Sequence, residues 1–226
     1  MSQISAVLDK VRTGAPVPTS DEGSASRPYH HGDLSRALVL AGRRILESQG
    51  IAALSLRAVA REAGVSPAAP YHHFKDKGEL LDAVAEEGWH ELGGSIVTAR
   101  HGAATPQDAV TEIGVAYVCF ARANPALYRI MYDAACDRAS MPGHGKAEVE
   151  SNGWTQVAEA IIESGMIVND PRDLELATIS AWCTAHGVAE MAGFREFDDL
   201  KKELGGEEAF VRAVLSHVGI FGPART

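Results

Sequence analysis

Cysteine is scarce in this sequence. Cys119, Cys136 and Cys183 are odd in number and scattered, and no two form a Cys-x-x-Cys pair. That argues against a disulfide framework or a zinc site, and a reducing, cytoplasmic setting is expected. Long hydrophobic runs are missing too. No window approaches the ~18 consecutive apolar residues of a membrane span. The first residues lack a charged start, an apolar run and a small-residue cleavage site in that order, so no secretory signal is read. Strand-like alternation persists nowhere. What remains is ordinary for a globular chain: 46% hydrophobic and 23% charged residues, enough to build a core without staples.

Positive charge is also in short supply, with 21 Lys/Arg against 30 Asp/Glu. The net charge of −9 seems to exclude an anion as partner, but the shortage is uneven. Residues 27–80 hold eight Lys/Arg and five acids, a balance of +3, with His30, His31, His72 and His73 in addition. Residues 81–226 hold 11 Lys/Arg and 22 acids, a balance of −11. A small positive segment on a large acidic remainder fits an anion-facing head and a solvated, regulatory body.

Helical punctuation organises the chain. Residues 1–28 read as a disordered arm or linker, because 13–28 are rich in Gly, Pro, Ser and Thr. Asp33 is the expected N-cap of a helix whose apolar residues Leu34, Ala37, Leu38, Ala41, Ile45 and Leu46 follow the 3.6-residue period, with Gly50 as its stop. Ser55 caps a second helix and Gly64 closes it. Ser66 caps a third, at about 67–73, and Asp76 a fourth. Further helices are expected at 106–123, 125–138, 145–166, 171–194 and 206–218, with loops at 101–105, 139–144, 167–170 and 195–205. Pro106, Pro125, Pro142 and Pro171 fall at or just before helix starts, where proline costs little. The chain therefore reads as all-α. A three-helix head at 29–76 precedes a larger helical ligand-binding and dimerisation domain at 77–226.

A helix, a short turn with glycine and a second short helix make the helix-turn-helix pattern, here 55–63, Gly64–Val65 and 67–73. The two prolines of that last helix are placed where they do least harm. With Ser66 as cap, Pro67 is at N1 and has no bond to lose. Pro70 forfeits one bond, to the Ser66 carbonyl. A short or partly 3₁₀ helix is expected there rather than a loop.

The run from Ser55 through Val59–Ala60, Ala63-Gly64-Val65-Ser66, Tyr71-x-x-Phe74, Lys77 and Leu80–Leu81 resembles the DNA-binding head of the TetR family of bacterial transcription regulators. The preceding YHHGDLSRAL resembles the first helix of the same head. Trp182, His186 and Gly187 resemble the W-x-x-x-H-G signature of one class of TetR C-terminal domain. The resemblance implies a homodimeric, DNA-binding regulator, most often a repressor, released from a palindromic operator by a small-molecule effector. In such heads the residue at Tyr71 contacts a backbone phosphate, with pure packing as the alternative.

The residues themselves complete a candidate DNA-binding set. Lys77 starts a helix, where a cation and unpartnered N–H groups suit a phosphate. Ser55 and Arg57 open the helix before the turn and are candidates for another phosphate contact. Ser66 adds a hydroxyl beside its capping role. Pro67, Ala68 and Ala69 form the tip, where methyl contacts to thymine are the available chemistry. His72 and His73 point about 100° apart on a helix, so one can face the groove. Neither has a partner at i+4, so no metal is expected, and no cofactor.

For an effector, the candidates are Trp89, Tyr117, Phe120, Met131, Trp154, Trp182 and His186, large or polarizable groups on helical stripes. Core packing is the plainer reading of any one of them. Leu174, Ala177, Ile179, Ala181, Ala185, Val188, Phe210, Val211, Val214, Leu215 and Val218 suit a four-helix dimer interface. The alternatives are a small all-α enzyme, for which no nucleophile–base set or carboxylate pair stands out, and a ligand carrier without DNA binding.

Overall fold

A computed structural model describes residues 31–137, 152–166 and 170–218. The expected arm at 1–28, with Arg27 and His30, lies outside the described residues, as do Pro142 and the expected loop at 139–144. Among the described residues there are nine α-helices and no strand. They are α1 (His31–Gln49), α2 (Leu56–Glu62), α3 (Lys77–Gly102), α4 (Pro106–Ala123), α5 (Pro125–Asp137), α6 (Gly153–Glu163), α7 (Pro171–Met191), α8 (Asp198–Leu204) and α9 (Glu207–Ser216). Two 3₁₀ turns, Ala69–His72 and Arg195–Phe197, complete the order. These helices fall into two compact units. One holds residues 31–89 and 124–137, and the other 90–123, 152–166 and 170–218.

The helix boundaries follow from local chemistry. Asp170 accepts from the Arg172 N–H at 2.9 Å and Pro171 takes the first helical position of α7. Pro106 and Pro125 likewise open α4 and α5. Asn152 caps α6 through a 2.9 Å bond from the Trp154 N–H, while 145–151, where that helix was expected to begin, lie outside the described residues. Asp33 is not the cap of α1, because the helix starts two residues earlier, at His31. First-turn N–H groups have no intrahelical partner, so a glycine and an acid there cost little.

The expected loop at 195–205 is also corrected, since it contains a 3₁₀ turn and α8. Asp198 and Asp199 sit in the first turn of α8 and Lys201 and Lys202 in its last, an order that suits the helix dipole. Gly205, at φ 95°, then closes the helix, with its own N–H on the Lys202 carbonyl and that of Gly206 on the Lys201 carbonyl.

In the first unit Leu38, Ala41, Ile45, Leu54, Leu56, Val59, Phe74, Leu80 and Val84 are buried. Helix approach is close enough to demand glycine twice. A Cβ on Gly42 would lie 3.3 Å from Val84, and one on Gly88 would lie 2.6 Å from the Met131 Sδ of α5. In the second unit α4 packs against α6, α7 and α9. It is accordingly apolar almost all round, with Val110, Ile113, Val115, Tyr117, Val118 and Phe120 buried. The end of α3 is tied to α6 by Arg100, which donates to Gln156 Oε1 (2.7 Å), Glu159 Oε2 (2.5 Å) and Glu163 Oε1 (2.7 Å).

Candidate nucleic-acid interface

The head is built from a sequence of stops. Ser55 is extended (φ −156°, ψ 157°) and its Oγ accepts from the Ala58 N–H at 3.2 Å, which starts α2. Seven residues later the chain leaves the helix through Gly64, at φ 69°. The Gly64 N–H bonds the Arg61 carbonyl at 3.2 Å, and the Val65 N–H bonds the Ala60 carbonyl at 3.0 Å. This pair of bonds satisfies carbonyls that the helix end leaves open, and it requires the left-handed residue between them.

The next element differs from the expected helix at 67–73. It is a 3₁₀ turn, Ala69–His72, preceded by Ala68, which makes no side-chain cap. Ser66 is therefore not the cap of an α-helix. The prolines explain this. In an α-helix the Ser66 carbonyl would accept from residue 70, but Pro70 has no N–H. The Ala69 N–H takes that carbonyl instead, at 3.0 Å, and the tighter i→i+3 ladder continues with Tyr71 to Ala68 at 3.2 Å. The turn closes with the Phe74 N–H on the Pro70 carbonyl at 2.9 Å.

Burial then separates what holds the turn from what it presents. Pro70 and Phe74 point into the core. Ser66, Pro67, Ala68 and His72 are exposed, and the Tyr71 side chain is exposed even though aromatic, at 54%. Ala69 is half-buried, so Pro67 and Ala68 alone make the tip. His73 is half-buried, with its ring 6.4 Å from that of Phe74. Arg57 is exposed on the first turn of α2.

The start of α3 is more occupied than its sequence suggests. Asp76 Oδ1 accepts from the Glu79 N–H at 3.0 Å, and Glu79 Oε2 accepts from the Lys75 N–H at 2.6 Å. Lys77 Nζ donates to the Ile51 carbonyl at 2.7 Å. An ammonium has three donors, so this bond fixes the position of Lys77 and leaves capacity for an anion.

In the second unit the ring of Tyr117 stands edge-on to Trp182 (centroids 5.3 Å apart), and Trp182 packs on Trp154 at 6.0 Å. The Tyr117 hydroxyl and His186 Nδ1 are 3.3 Å apart, the imidazole tautomer deciding which donates. Tyr117 and Trp182 line a narrow cavity together with Ile96, Ile113 and Val157.

Comparison with known proteins decides what this head belongs to. Residues 38–84 match the family described as "Bacterial regulatory proteins, tetR family", and residues 110–217 match "Tetracyclin repressor-like, C-terminal domain". The chain belongs to the TetR family.

Its relatives are named as regulators. The HTH-type transcriptional regulator Rv1816 of Mycobacterium tuberculosis is 27% identical over 194 residues, 82% of this chain and 76% of that protein. The HTH-type transcriptional regulator BetI of Rhizobium meliloti is 38% identical over 78 residues, which span 34% of this chain and 38% of BetI. A solved structure of a protein of unknown function from Rhodococcus sp. RHA1 superposes with a TM-score of 0.66 at 32% identity, over 88% of this chain and 100% of that one. This TetR-family chain is a DNA-binding transcriptional regulator. Among its described residues no helix is long and apolar enough to cross a membrane.

Not all the residues singled out by sequence converge. Tyr117, Trp154, Trp182 and His186 come together in the second unit. Phe120 is buried on α4 but does not line the cavity. Trp89 and Met131 belong to the first unit, where Trp89 meets Tyr132 edge-on at 5.3 Å. Sequence reasoning missed the aliphatic lining, because Ile96, Ile113 and Val157 carry no signal that separates a cavity wall from a core. The dimer-face expectation also needs correction. Leu174, Ala177, Ala181, Ala185, Phe210, Val211 and Leu215 are buried within the chain itself. The apolar residues that α7 leaves exposed are Leu176, Ile179 and Met191. A helical period shows that a stripe is apolar, not what covers it.

Proposed function

We propose that the protein is a homodimeric repressor that leaves a palindromic operator when a small-molecule effector binds its helical body. In this reading residues 29–76 are the DNA-binding domain and residues 77–226 bind the effector and the second copy. The observation that carries it is the proline-tightened turn, whose Ser66, Pro67, Ala68, Tyr71 and His72 all stand in solvent while Pro70 and Phe74 anchor it. Tyr71, Lys77, Ser55 and Arg57 would hold phosphates and so set register. Pro67, Ala68 and Ala69 would offer apolar contact, and His72 with His73 the remaining base-edge contacts. With so few side-chain donors at the tip, much of the discrimination would come from DNA shape.

Support for a second copy lies on α7 and α8. The exposed large apolar residues of the second unit, Leu176, Ile179, Met191, Phe194, Leu200 and Leu204, all fall within one stretch of chain. On α7 the spacing of Leu176, Ile179, Cys183, Gly187 and Met191 keeps one face, and Cys183 and Gly187 are exposed as well. Such a face is self-complementary under a two-fold axis. The two heads of the dimer would then enter major grooves about 34–36 Å apart.

The relatives' names favour a regulator over an enzyme. The test is selection of bound duplexes by the full-length chain, followed by footprinting. A palindromic site protected in two successive grooves is the expected result. Salt-labile binding with no sequence preference would reject the reading.

A further inference from the structure

The narrow cavity in the second unit says more about an effector than its location does. Its wall combines the faces of Tyr117 and Trp182 with aliphatic side chains from α3, α4, α6 and α7, and among the described residues none of its lining carries a charge. The space between those side chains is about 290 Å³ including its mouth, yet the gap is thin and admits little more than one water. The nearby charges of this unit are engaged elsewhere. Arg100 is bound to Glu159 and Glu163, and Arg122 to Glu207 at 2.9 Å.

From this wall we infer that the cavity takes a compact, uncharged, largely apolar ligand, such as a fused-ring aromatic with one hydroxyl, which enters by parting α4 from α7. The inference rests on the effector-binding reading above and deepens it. An ion entering this wall would shed its water and meet no opposite charge, so anions and cations are both disfavoured. Apolar cavities of about 150 Å³ accept a single benzene ring, which sets an upper limit here of about two rings. The Tyr117–His186 pair is the polar group at hand, and it can orient one hydroxyl on the ligand. Because the gap is thin, the ligand cannot simply fill it. Ala181 and Ala185 of α7 must move away from Ile113 and Gly114 of α4, so binding and helix displacement are one event. Ile96, on the last third of α3, lies in the same wall and feels that displacement directly.

Equilibrium dialysis of the full-length protein against three probes of one shape tests this. The probes are 2-naphthol, 2-naphthoate and 2-naphthylmethylammonium. The neutral probe is expected to bind saturably, and each charged probe at least about tenfold more weakly. Ala185→Leu, which fills the gap, is expected to weaken 2-naphthol about tenfold or more. Ala181→Val, a smaller filling that spares the fold if the first variant fails to fold, is expected to do the same in lesser degree. Equal or tighter binding of either charged probe overturns the inference, as does failure of 2-naphthol to bind, or 2-naphthol binding that a folded filling variant leaves unchanged. Operator binding is measured separately. If 2-naphthol binds as expected but does not release DNA, the effector reading fails and the assignment of the cavity stands.

Discussion

The two compact units solve the same problem with opposite means. Between Ser55 and Phe74 the head changes direction repeatedly, and each change is made by residues two to five apart: Ser55 on Ala58, Val65 on Ala60, Ala69 on Ser66. The second unit is made of long helices, and its decisive polar contacts join residues far apart in the chain. Arg100 reaches Glu159 across 59 positions, and Tyr117 reaches His186 across 69. Local bonds fix a shape that a partner can read. Distant bonds hold helices that a ligand can part.

The largest effect expected from breaking this contrast is at Arg100. Its side chain and that of Glu159 are only 10% and 11% exposed. Removing the guanidinium leaves a buried carboxylate without its counter-charge, so Arg100→Met should cost about 3–5 kcal/mol in urea unfolding. Arg100→Met combined with Glu159→Leu should recover most of it, because no lone charge then remains. A loss below about 1 kcal/mol in the single variant would mean that the second unit does not depend on this distant contact.

The same contrast explains what could be read in advance. The head was legible because its signals are local. Ser55, Gly64 and Asp76 each act on a residue at most four away. Even the 3₁₀ turn was half visible, since Pro67 and Pro70 point to it, although their effect on the Ser66 carbonyl was not foreseen. In the second unit the helices were legible and their partners were not. Ala181 and Ala185 look like a dimer face in sequence and prove to be interior, while Leu176 and Ile179, on the same helix, remain outside. Periodicity gives the angle between stripes but not which stripe meets which helix. Lys77 is the case where the head itself escaped local reading, because its bond to Ile51 spans 26 residues.

The second effect concerns the surface the head presents. Tyr71→Phe removes a hydroxyl on a side chain that is 54% exposed, so thermal stability should not change. If that hydroxyl bonds a phosphate, operator affinity should fall about tenfold to a hundredfold, the range of a hydrogen bond to a charged group. Fluorescence anisotropy on the selected duplex measures it. Unchanged affinity would move the phosphate role away from Tyr71.

A smaller loss is expected at Gly64. A Cβ there meets nothing within 4 Å, so Gly64→Ala isolates the cost of a left-handed backbone at φ 69°. That cost is about 1–2 kcal/mol. Gly88→Ala is the counterpart with the opposite cause, since its Cβ would strike Met131 Sδ at 2.6 Å in ordinary helical backbone. Met131→Ala should rescue Gly88→Ala in part and leave Gly64→Ala untouched. Rescue of both, or of neither, would show that the two glycines are not doing different work.

The smallest expected effect is again long-range. Burial pushes the Cys119 thiol above its ordinary range, and the carboxylates of Glu208 and Glu207, close in space but far along the chain, add to the shift. Cys183 is exposed. The thiolate is the form that reacts, so in a Cys136→Ser background iodoacetamide should modify Cys183 well before Cys119 at mildly alkaline pH. The sign for stability follows from the same shift. Below the ordinary thiol range both folded and unfolded chains hold the proton, and the contribution of Cys119 is fully present. As the pH rises, the unfolded chain loses its proton first, so folding becomes less favourable until the folded thiol also ionises. Cys119→Ala should therefore flatten the alkaline limb of a stability–pH curve, whereas Cys183→Ser should leave it unchanged. If Cys119 reacts as fast as Cys183, its thiol is not held by burial and by Glu208 and Glu207, and this long-range link in the second unit is absent.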